Sequence, residues 1–306
     1  MPIIDQVLGE NKYNLSASEI AKAKSSRFFD WMLYGAVFSH LILFVWFVLF
    51  LDFWGVDNFT NAGRISAMGL MCGVFGINVA HELGHRTDKF NQFLSKVMLT
   101  TSLYNHFFVE HNRGHHRNVG THIDAATARK GEALYVFWCR AVIMGWISAW
   151  SIVAKERQRK KLNVFSVGNE MIQLQLTQVI MVLTIGFFVG WWIALNVCIA
   201  GVLGIILLET VDYIEHYGLE RKKITEHRYE DVTPVHSWNA DFVFGRLVLF
   251  ELTRHSDHHT TPSKHYQLLD SKKEASTLPV GYPTMMLLAL IPPLWFFVMD
   301  RRIPNG

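Results

Sequence analysis

Three long runs of the chain contain no Asp, Glu, Lys, Arg or Pro. They are Trp31–Leu51 with 21 residues, Ile65–Ala80 with 16, and Met171–Leu208 with 38. An α-helix rises about 1.5 Å per residue, so about 20 apolar residues cross the hydrocarbon core of a membrane. The longest run is enough for two such helices, which we expect to meet at Trp191 and Trp192, because indoles favour the membrane interface. The pattern predicts four transmembrane helices, at about residues 31–51, 60–80, 171–190 and 191–209.

Two further apolar stretches are interrupted. Residues 133–154 contain Arg140, and residues 280–299 contain three prolines. Both stretches could be spans, but either one alone as a span would place the histidine groups on opposite sides of the membrane. We therefore interpret both as helices lying on the cytoplasmic surface of the membrane. The chain has no internal repeat and no linker rich in Pro, Gly or Ser. Residues 1–306 are therefore predicted to form a single all-α membrane domain with a helical, histidine-rich cytoplasmic cap.

The basic residues fall on one side of the predicted spans. Of the 29 Lys and Arg residues, all but Arg64 lie in the segments 1–30, 81–170, 211–279 and 301–302. Since cytoplasmic loops are enriched in Lys and Arg, we expect these segments and both termini to be cytoplasmic. Charged residues make up only 18% of the chain and its three cysteines stand singly. This composition excludes a disordered chain and a disulfide scaffold.

The 15 histidines are the unusual part of the composition. Three groups occur in the segments predicted to be cytoplasmic: His81 and His85; His111, His115 and His116; His255, His258 and His259. Positions i and i+4 share one face of a helix, and neutral imidazoles gathered in this way are typical metal ligands. His216 stands alone. The other six are interpreted as structural, with His236 the first exception to test: His40, His106, His122, His227, His236 and His265.

Two alternatives to a redox centre follow from the same histidines. His81-Glu82-Leu83-Gly84-His85 matches the HExxH helix of zinc proteases, in which Glu82 would be the general base. Such a protease needs only three protein ligands, and the chain contains no Asp-Gly pair to supply the acidic ligand of intramembrane zinc proteases. A metal transporter would place its ligands within the spans, where only His40 is of this type. Because imidazole suits iron and the histidines are too many for one ion, two redox-active ions, of which iron fits best, are favoured.

Four blocks of the sequence together carry a resemblance to a known family: His81–Arg86, Glu110–Arg117, Asp212–Leu219 and Leu252–His259. They resemble the signature blocks of the membrane alkane 1-monooxygenases, a family that includes alkane hydroxylase and xylene monooxygenase and is more distantly related to membrane fatty-acid desaturases. His236–Asn239 and Gly281–Pro283 extend the resemblance, which runs from about residue 60 to about residue 300.

This resemblance implies a non-haem di-iron enzyme of the bacterial inner membrane with its metal site on the cytoplasmic side. The implied reaction is the O2-dependent hydroxylation of a terminal C–H bond, in an alkane or alkyl side chain, to a primary alcohol. Hydroxylation of methyl-aromatics and desaturation of a fatty-acyl chain are alternatives for the same centre. The resemblance implies nine iron ligands: His81, His85, His111, His115, His116, His216, His255, His258 and His259.

Acidic residues near these ligands have a predictable role. A histidine that binds a metal usually donates its other N–H to a carboxylate or a carbonyl. Glu110 and Asp257 lie inside ligand blocks, and Asp212 stands where the family usually has Asn. We expect these three to hold a ligand or carry a proton. Other nearby acids are not ranked by the sequence: Glu82, Asp124, Glu209, Glu215 and Glu251.

Hydroxylation also consumes electrons, and the sequence contains no motif by which the protein could take them from a nicotinamide cofactor. It contains no GxGxxG motif, no P-loop and no cysteine set for iron. The resemblance implies a separate rubredoxin-type carrier and a flavin-containing reductase. Basic residues in 155–161 and 221–223 are candidate docking sites for an acidic carrier, although contact with anionic lipid is the preferred interpretation.

Overall fold

The computed structural model describes residues 1–51, 57–226 and 228–304, and most of them are helical, as predicted. The α-helices are α1 (Pro2–Leu8), α2 (Ala17–Ser25), α3 (Phe28–Phe50), α4 (Asn58–Met71), α5 (Asn78–Gly84), α6 (Lys89–Thr101), α7 (Phe107–Glu110), α8 (His116–Asn118), α9 (Leu134–Arg159), α10 (Glu170–Phe188), α11 (Trp191–His216), α12 (Val243–Val248), α13 (His255–Thr260), α14 (Tyr282–Ala289) and α15 (Pro292–Met299).

Shorter elements connect these helices. Two segments are π-helical, namely Cys72–Ile77 between α4 and α5 and His111–His115 between α7 and α8. Two are 3₁₀-helical, namely Pro234–His236 and Tyr266–Leu268. The strands form an antiparallel pair and a parallel pair: β1 (Lys223–Thr225) with β2 (Arg228–Tyr229), and β3 (Trp238–Asn239) with β4 (Ser276–Thr277).

In the described chain, five helical stretches are long and apolar enough to cross a membrane: Phe28–Phe50, Asn58–Gly84, Leu134–Arg159, Glu170–Phe188 and Trp191–His216. Four of them coincide with the predicted spans, and the chain is a helical membrane protein. The fifth stretch, α9, was expected to lie on the membrane surface, so the helices of sufficient length are one more than the four predicted.

The interpretation of α9 as a surface helix stays a prediction, because only its length and composition match those of a span. The charge that interrupts its apolar run belongs to Arg140. Its guanidinium donates to both carboxylate oxygens of Glu132 at 2.7 Å and to the carbonyl oxygens of Ala125 and Thr127 at 2.8 and 3.0 Å. The positive charge near the start of α9 is therefore neutralised and hydrogen-bonded by the protein itself. A run of uncharged residues in the sequence underestimates the length of such a helix.

The described chain forms two compact units, which we call the first and the second unit. The second unit comprises Asp30–Arg113 and Gly145–Leu208. Its apolar core is supplied by α3, α4, α10, α11 and the π-helical segment after α4; it includes Phe44, Phe47, Met68, Cys72, Ile185 and Val197. A Cβ atom added at Gly204 of α11 would lie 2.6 Å from Cys72 Cβ and 3.0 Å from the Gly73 backbone nitrogen. Glycine at this point therefore allows two helix backbones to approach closely.

The first unit comprises Met1–Phe29, Gly114–Met144 and Glu209–Gly306. Large aromatic side chains dominate its core, and three of them donate hydrogen bonds to groups within the unit. Trp238 Nε1 donates to the Tyr217 carbonyl oxygen at 2.9 Å, the Tyr217 hydroxyl donates to Asp300 at 2.7 Å, and the Tyr213 hydroxyl donates to the Glu132 carbonyl oxygen at 2.7 Å. This core surrounds the end of α11 and its histidine. The interpretation of the chain as one domain stays a prediction.

Candidate metal centre

Four histidines of the first unit converge with their Nε2 atoms facing one another. This four-histidine cluster consists of His115, His216, His255 and His259. The Nε2 atom of His255 lies 3.0 Å from that of His216 and 2.8 Å from that of His259. The Nε2 atom of His259 also lies 3.2 Å from that of His115. All four side chains are buried, none being more than 3% exposed.

Three different parts of the chain supply this cluster. His255 and His259 lie one turn apart on α13, so the predicted pairing at i and i+4 is observed there. His216 is the last residue of α11, and His115 ends the second π-helical segment. The resemblance was needed to predict His216 as a ligand, because in the sequence it stands apart from every other histidine.

The donor set of the cluster fits a metal ion. Burial and the charges of the neighbouring imidazoles hold the pKa of His259 well below its ordinary value, so its ring is in the neutral form that binds metals. Two nitrogens that share one ion through metal–nitrogen bonds of about 2.1 Å lie at most about 4.2 Å apart. The observed separations of 2.8 to 3.2 Å between Nε2 atoms lie within this distance. A bound metal ion would therefore account for the convergence of the four imidazoles.

The other five predicted ligands lie in two smaller groups. In the first unit, the Nε2 atoms of His116 and His258 are 3.1 Å apart. In the second unit, the Nε2 atoms of His81 and His85 are 3.3 Å apart. The His111 ring centroid lies 4.4 Å from that of His81 and 5.2 Å from that of His85. Each group presents imidazole nitrogens close enough to share an ion.

The second histidine block does not follow the simple helical spacing. His111 lies with His81 and His85, whereas His115 belongs to the four-histidine cluster. Residues 111–115 are π-helical, with backbone hydrogen bonds from i to i+5 in place of i to i+4. π-Helical segments of this kind are frequent at functional sites, and here the segment directs two histidines of one block to two different groups.

One acid makes the contact expected of a partner of a metal-binding histidine. Asp124 Oδ2 lies 2.9 Å from His115 Nδ1 and also accepts the Thr127 hydroxyl at 2.5 Å, and both side chains of the pair are fully buried. Burial acts to raise the pKa of Asp124, but His115 and the bond from Thr127 outweigh it and hold the pKa below its ordinary value. From the sequence, Asp124 was one of several acids near the ligands that could not be ranked. It lies in an irregular segment nine residues after His115, where no helical spacing relates the two.

The three acids that the sequence singled out are all buried. Asp257 Oδ2 accepts from Lys264 Nζ at 2.6 Å and Oδ1 lies 3.0 Å from Lys272 Nζ, so this carboxylate binds the segment that follows α13. Asp212 has a carboxylate oxygen within 4.8 Å of ligand atoms of Glu215 and His216. Glu110 is 6% exposed and belongs to the second unit. The roles of these acids stay predictions.

Glu82 bears on the protease alternative. Its Oε1 accepts from Arg86 Nη2 at 2.7 Å and from Arg86 Nε at 3.0 Å, and both side chains are buried. Arg86 Nη1 lies 3.4 Å from Asp30 as well. A carboxylate held by an arginine in this way is a poor general base, because the arginine stabilises its unprotonated form.

Two of the remaining histidines make contacts typical of structural residues. His236, the suggested exception, accepts from the Thr233 backbone N–H at Nδ1 and lies 3.1 Å from Glu230 at Nε2. His40 Nε2 lies 2.9 Å from the Thr101 hydroxyl. Within the described ranges, no group able to hold a metal includes His40, His106, His122, His236 or His265. His227 lies outside the described residues.

Similar proteins group this chain with a known family. The Fatty acid desaturase family model matches residues 58–288. Alkane 1-monooxygenase 1 of Alcanivorax borkumensis is 36% identical over 306 residues, which cover 99% of this chain and 75% of the relative. Alkane 1-monooxygenase of Pseudomonas putida is 36% identical over 309 residues, which cover 100% of this chain and 76% of the relative. The chain belongs to the alkane 1-monooxygenase family.

This membership confirms the resemblance that the histidine blocks carried. The match over residues 58–288 also assigns the chain to the Fatty acid desaturase family. The xylene/toluene monooxygenase hydroxylase component of Pseudomonas putida is a more distant relative, 26% identical over 243 residues, which cover 78% of this chain and 63% of the relative. The protein is thus an enzyme of the membrane monooxygenase class, and its histidine groups are the candidate metal centre.

Proposed function

We propose that this protein uses O2 to hydroxylate a terminal C–H bond of an alkane or alkyl side chain, giving a primary alcohol. The observation that carries the proposal is the four-histidine cluster, a buried ligand set made entirely of imidazoles. It occurs in a chain that is 36% identical to named alkane 1-monooxygenases over almost its whole length. The apolar helices are consistent with a hydrophobic substrate that enters from the lipid bilayer.

The proposed centre contains two iron ions, and bound iron would supply the activation of O2. One oxygen atom enters the C–H bond and the other leaves as water, so two electrons and two protons are consumed. The four-histidine cluster would hold one ion of this centre. The full proposed ligand set is His81, His85, His111, His115, His116, His216, His255, His258 and His259.

The protein's own groups prepare these ligands. Asp124 accepts the Nδ1 proton of His115, so that the lone pair of Nε2 faces the cluster. Thr127 donates its hydroxyl and Ala126 its backbone N–H to the same carboxylate, at 2.5 and 3.3 Å, which fixes its orientation. Burial of the four imidazoles excludes bulk water from the reacting centre, which protects a reactive oxidant from side reactions.

Electrons would come from a rubredoxin-type carrier and its reductase. Two of the basic residues predicted to dock it are engaged within the protein: Arg157 binds carbonyl oxygens of Asn163 and Gly168, and Arg221 binds carbonyl oxygens of Arg117 and Glu230. The exposed members of the two basic segments are therefore the better docking candidates: Lys155, Arg159, Lys160, Lys161, Lys222 and Lys223.

We also propose that the metal centre and both ends of the chain lie on the cytoplasmic side of the bacterial inner membrane. The support is the distribution of Lys and Arg, of which all but Arg64 lie in the predicted cytoplasmic segments. A soluble carrier reduced in the cytoplasm could then reach the centre directly.

Two alternative reactions each have one supporting observation. Hydroxylation of a methyl-aromatic is favoured by the relative named as a xylene/toluene monooxygenase component. Desaturation of a fatty-acyl chain is favoured by the family match over residues 58–288. An intramembrane zinc protease built on His81-Glu82-Leu83-Gly84-His85 is a remote alternative, because Arg86 holds the proposed base.

The decisive experiment is oxidation of a substrate panel by cells that express the protein with a supplied rubredoxin and its reductase. Alkanes of graded length, alkylbenzenes and fatty-acyl substrates are followed by gas chromatography and mass spectrometry. We expect primary alcohols, two irons per purified chain, and loss of product in H255A. The matched control H122A changes an exposed histidine outside the cluster and should keep its activity. Absence of hydroxylated product from every substrate would refute the proposal, and one zinc per chain would favour the protease.

A further inference from the structure

Glu215 is a buried carboxylate that lies directly beside the four-histidine cluster. It precedes His216 at the end of α11 and is completely buried. Its Oε1 accepts a hydrogen bond from the Tyr282 hydroxyl at 2.8 Å. Its Oε2 is buried without a hydrogen-bond donor among the described residues and lies 3.3 Å from His255 Nε2.

The direction of this second oxygen is informative. His255 Nε2 is the nitrogen that faces His216 Nε2 at 3.0 Å and His259 Nε2 at 2.8 Å. Glu215 Oε2 therefore points toward the same place as the imidazole nitrogens. A buried carboxylate oxygen without a donor is costly, and a cation at the point where these atoms converge would remove that cost.

We propose that Glu215 is an oxygen ligand of the ion that the four-histidine cluster holds. The assignment rests on the metal centre proposed above and adds a fifth donor to its four imidazoles. Carboxylate and imidazole together are a common ligand set for non-haem iron. The negative charge would also offset part of the positive charge that an ion brings into a fully buried site.

Tyr282 is the positioning residue for this ligand. It is the first residue of α14 and 1% exposed, so its ring is fixed within the core of the first unit. By donating to Oε1, its hydroxyl leaves Oε2 free to face the histidines. The hydrogen bond thus determines which carboxylate oxygen is available to the ion.

The test compares iron binding in the full-length wild type, E215Q and Y282F, purified in detergent and loaded with ⁵⁷Fe. Iron per chain, Fe(II) affinity from chelator competition and Mössbauer spectra are measured without turnover. We expect E215Q to lose one of the two irons, or to change the Mössbauer doublet of one iron while the other stays the same. Y282F should keep both irons but bind the altered one about 10- to 100-fold more weakly, the range found for partners that orient a ligand.

E132Q is the matched control, because Glu132 is a mostly buried glutamate of the same unit whose partner is Arg140. It should bind iron as the wild type does. Two irons with unchanged affinity and unchanged spectra in E215Q would overturn the assignment of Glu215 while leaving the metal centre intact. A wild type that binds no iron would overturn the metal centre itself. If E215Q does not fold, Y282F decides, and unchanged affinity and spectra in that variant overturn the proposal.

Discussion

The bond between Asp124 and His115 gives a sharp prediction for the substitution Asp124→Asn. The Asp124 carboxylate accepts three hydrogen bonds, from the His115 ring, the Thr127 hydroxyl and the Ala126 backbone N–H. An amide of the same shape has only one acceptor oxygen. If that oxygen faces His115, the new NH2 group meets the Ala126 N–H. If the amide is reversed, the NH2 group meets the His115 N–H.

The second arrangement affects the metal directly. To avoid two facing donors, the proton of His115 would move to Nε2, the atom that faces the other three imidazoles, and the lone pair needed for an ion would be lost. Changes to hydrogen-bond partners of metal ligands weaken metal binding by about 10- to 100-fold, or about 1.4 to 2.7 kcal/mol. We expect D124N to fall in this range and to keep its fold.

The assay is a titration of metal-free protein with Fe(II) under anaerobic conditions, against a chelator of known affinity. D241N is the matched control: Asp241 is equally buried, but its partners are Arg254 at 3.3 Å and the Ser271 hydroxyl at 2.7 Å. It should bind iron as the wild type does. If D124N binds iron within twofold of the wild type, the reasoning from the His115 contact is wrong.

Three further predictions concern stability, each measured by thermal unfolding in detergent. G204A should be destabilised by about 1 to 3 kcal/mol, because its new methyl would lie 2.6 Å from a side-chain carbon of the facing helix, whereas at Gly63 nothing lies within 4 Å and G63A should be neutral. E82A should lose about 3 to 5 kcal/mol by leaving Arg86 buried without its closest carboxylate; wild-type stability would contradict this. Burial lowers the pKa of His236, so the neutral ring stabilises the folded protein. This contribution to the free energy of unfolding is present above about pH 6.5, the pKa of histidine in the unfolded chain, and is lost as the pH falls. The stability advantage of the wild type over H236Q should therefore shrink between about pH 7.5 and pH 5, and a constant advantage would refute the assignment.

The sequence predicted the helical membrane fold because that fold follows from local properties. Uncharged runs of sufficient length show where helices can enter lipid, and four of the five apolar stretches were found in this way. The fifth, α9, was located as the apolar stretch 133–154, and its placement on the membrane surface stays a prediction. The contacts of Arg140 with Glu132, Ala125 and Thr127 are not contained in a hydropathy pattern. Charge is costly in lipid only when the protein does not satisfy it.

The site was predictable to the extent that its residue types are rare. Clustered histidines indicated a metal without any knowledge of the fold, and the spacing of His255 and His259 was correct because α13 is a regular helix. The pairing expected for His111 and His115 is not observed: they lie in different groups, in a segment that is π-helical and not α-helical. Acids are common, so proximity along the chain could not select Asp124 among them; its contact with His115 depends on how an irregular segment folds.

The four-histidine cluster also has a consequence for how the protein is made. Its ligands come from positions 115, 216, 255 and 259, and the ligand set is complete only when α13 has been synthesised. By then α11, which is apolar enough to span a membrane, has already left the ribosome. If the cluster holds the proposed ion, it can do so only late in biogenesis, on a chain whose apolar helices precede the finished site. A nascent chain stalled before residue 255 would carry only half of this ligand set.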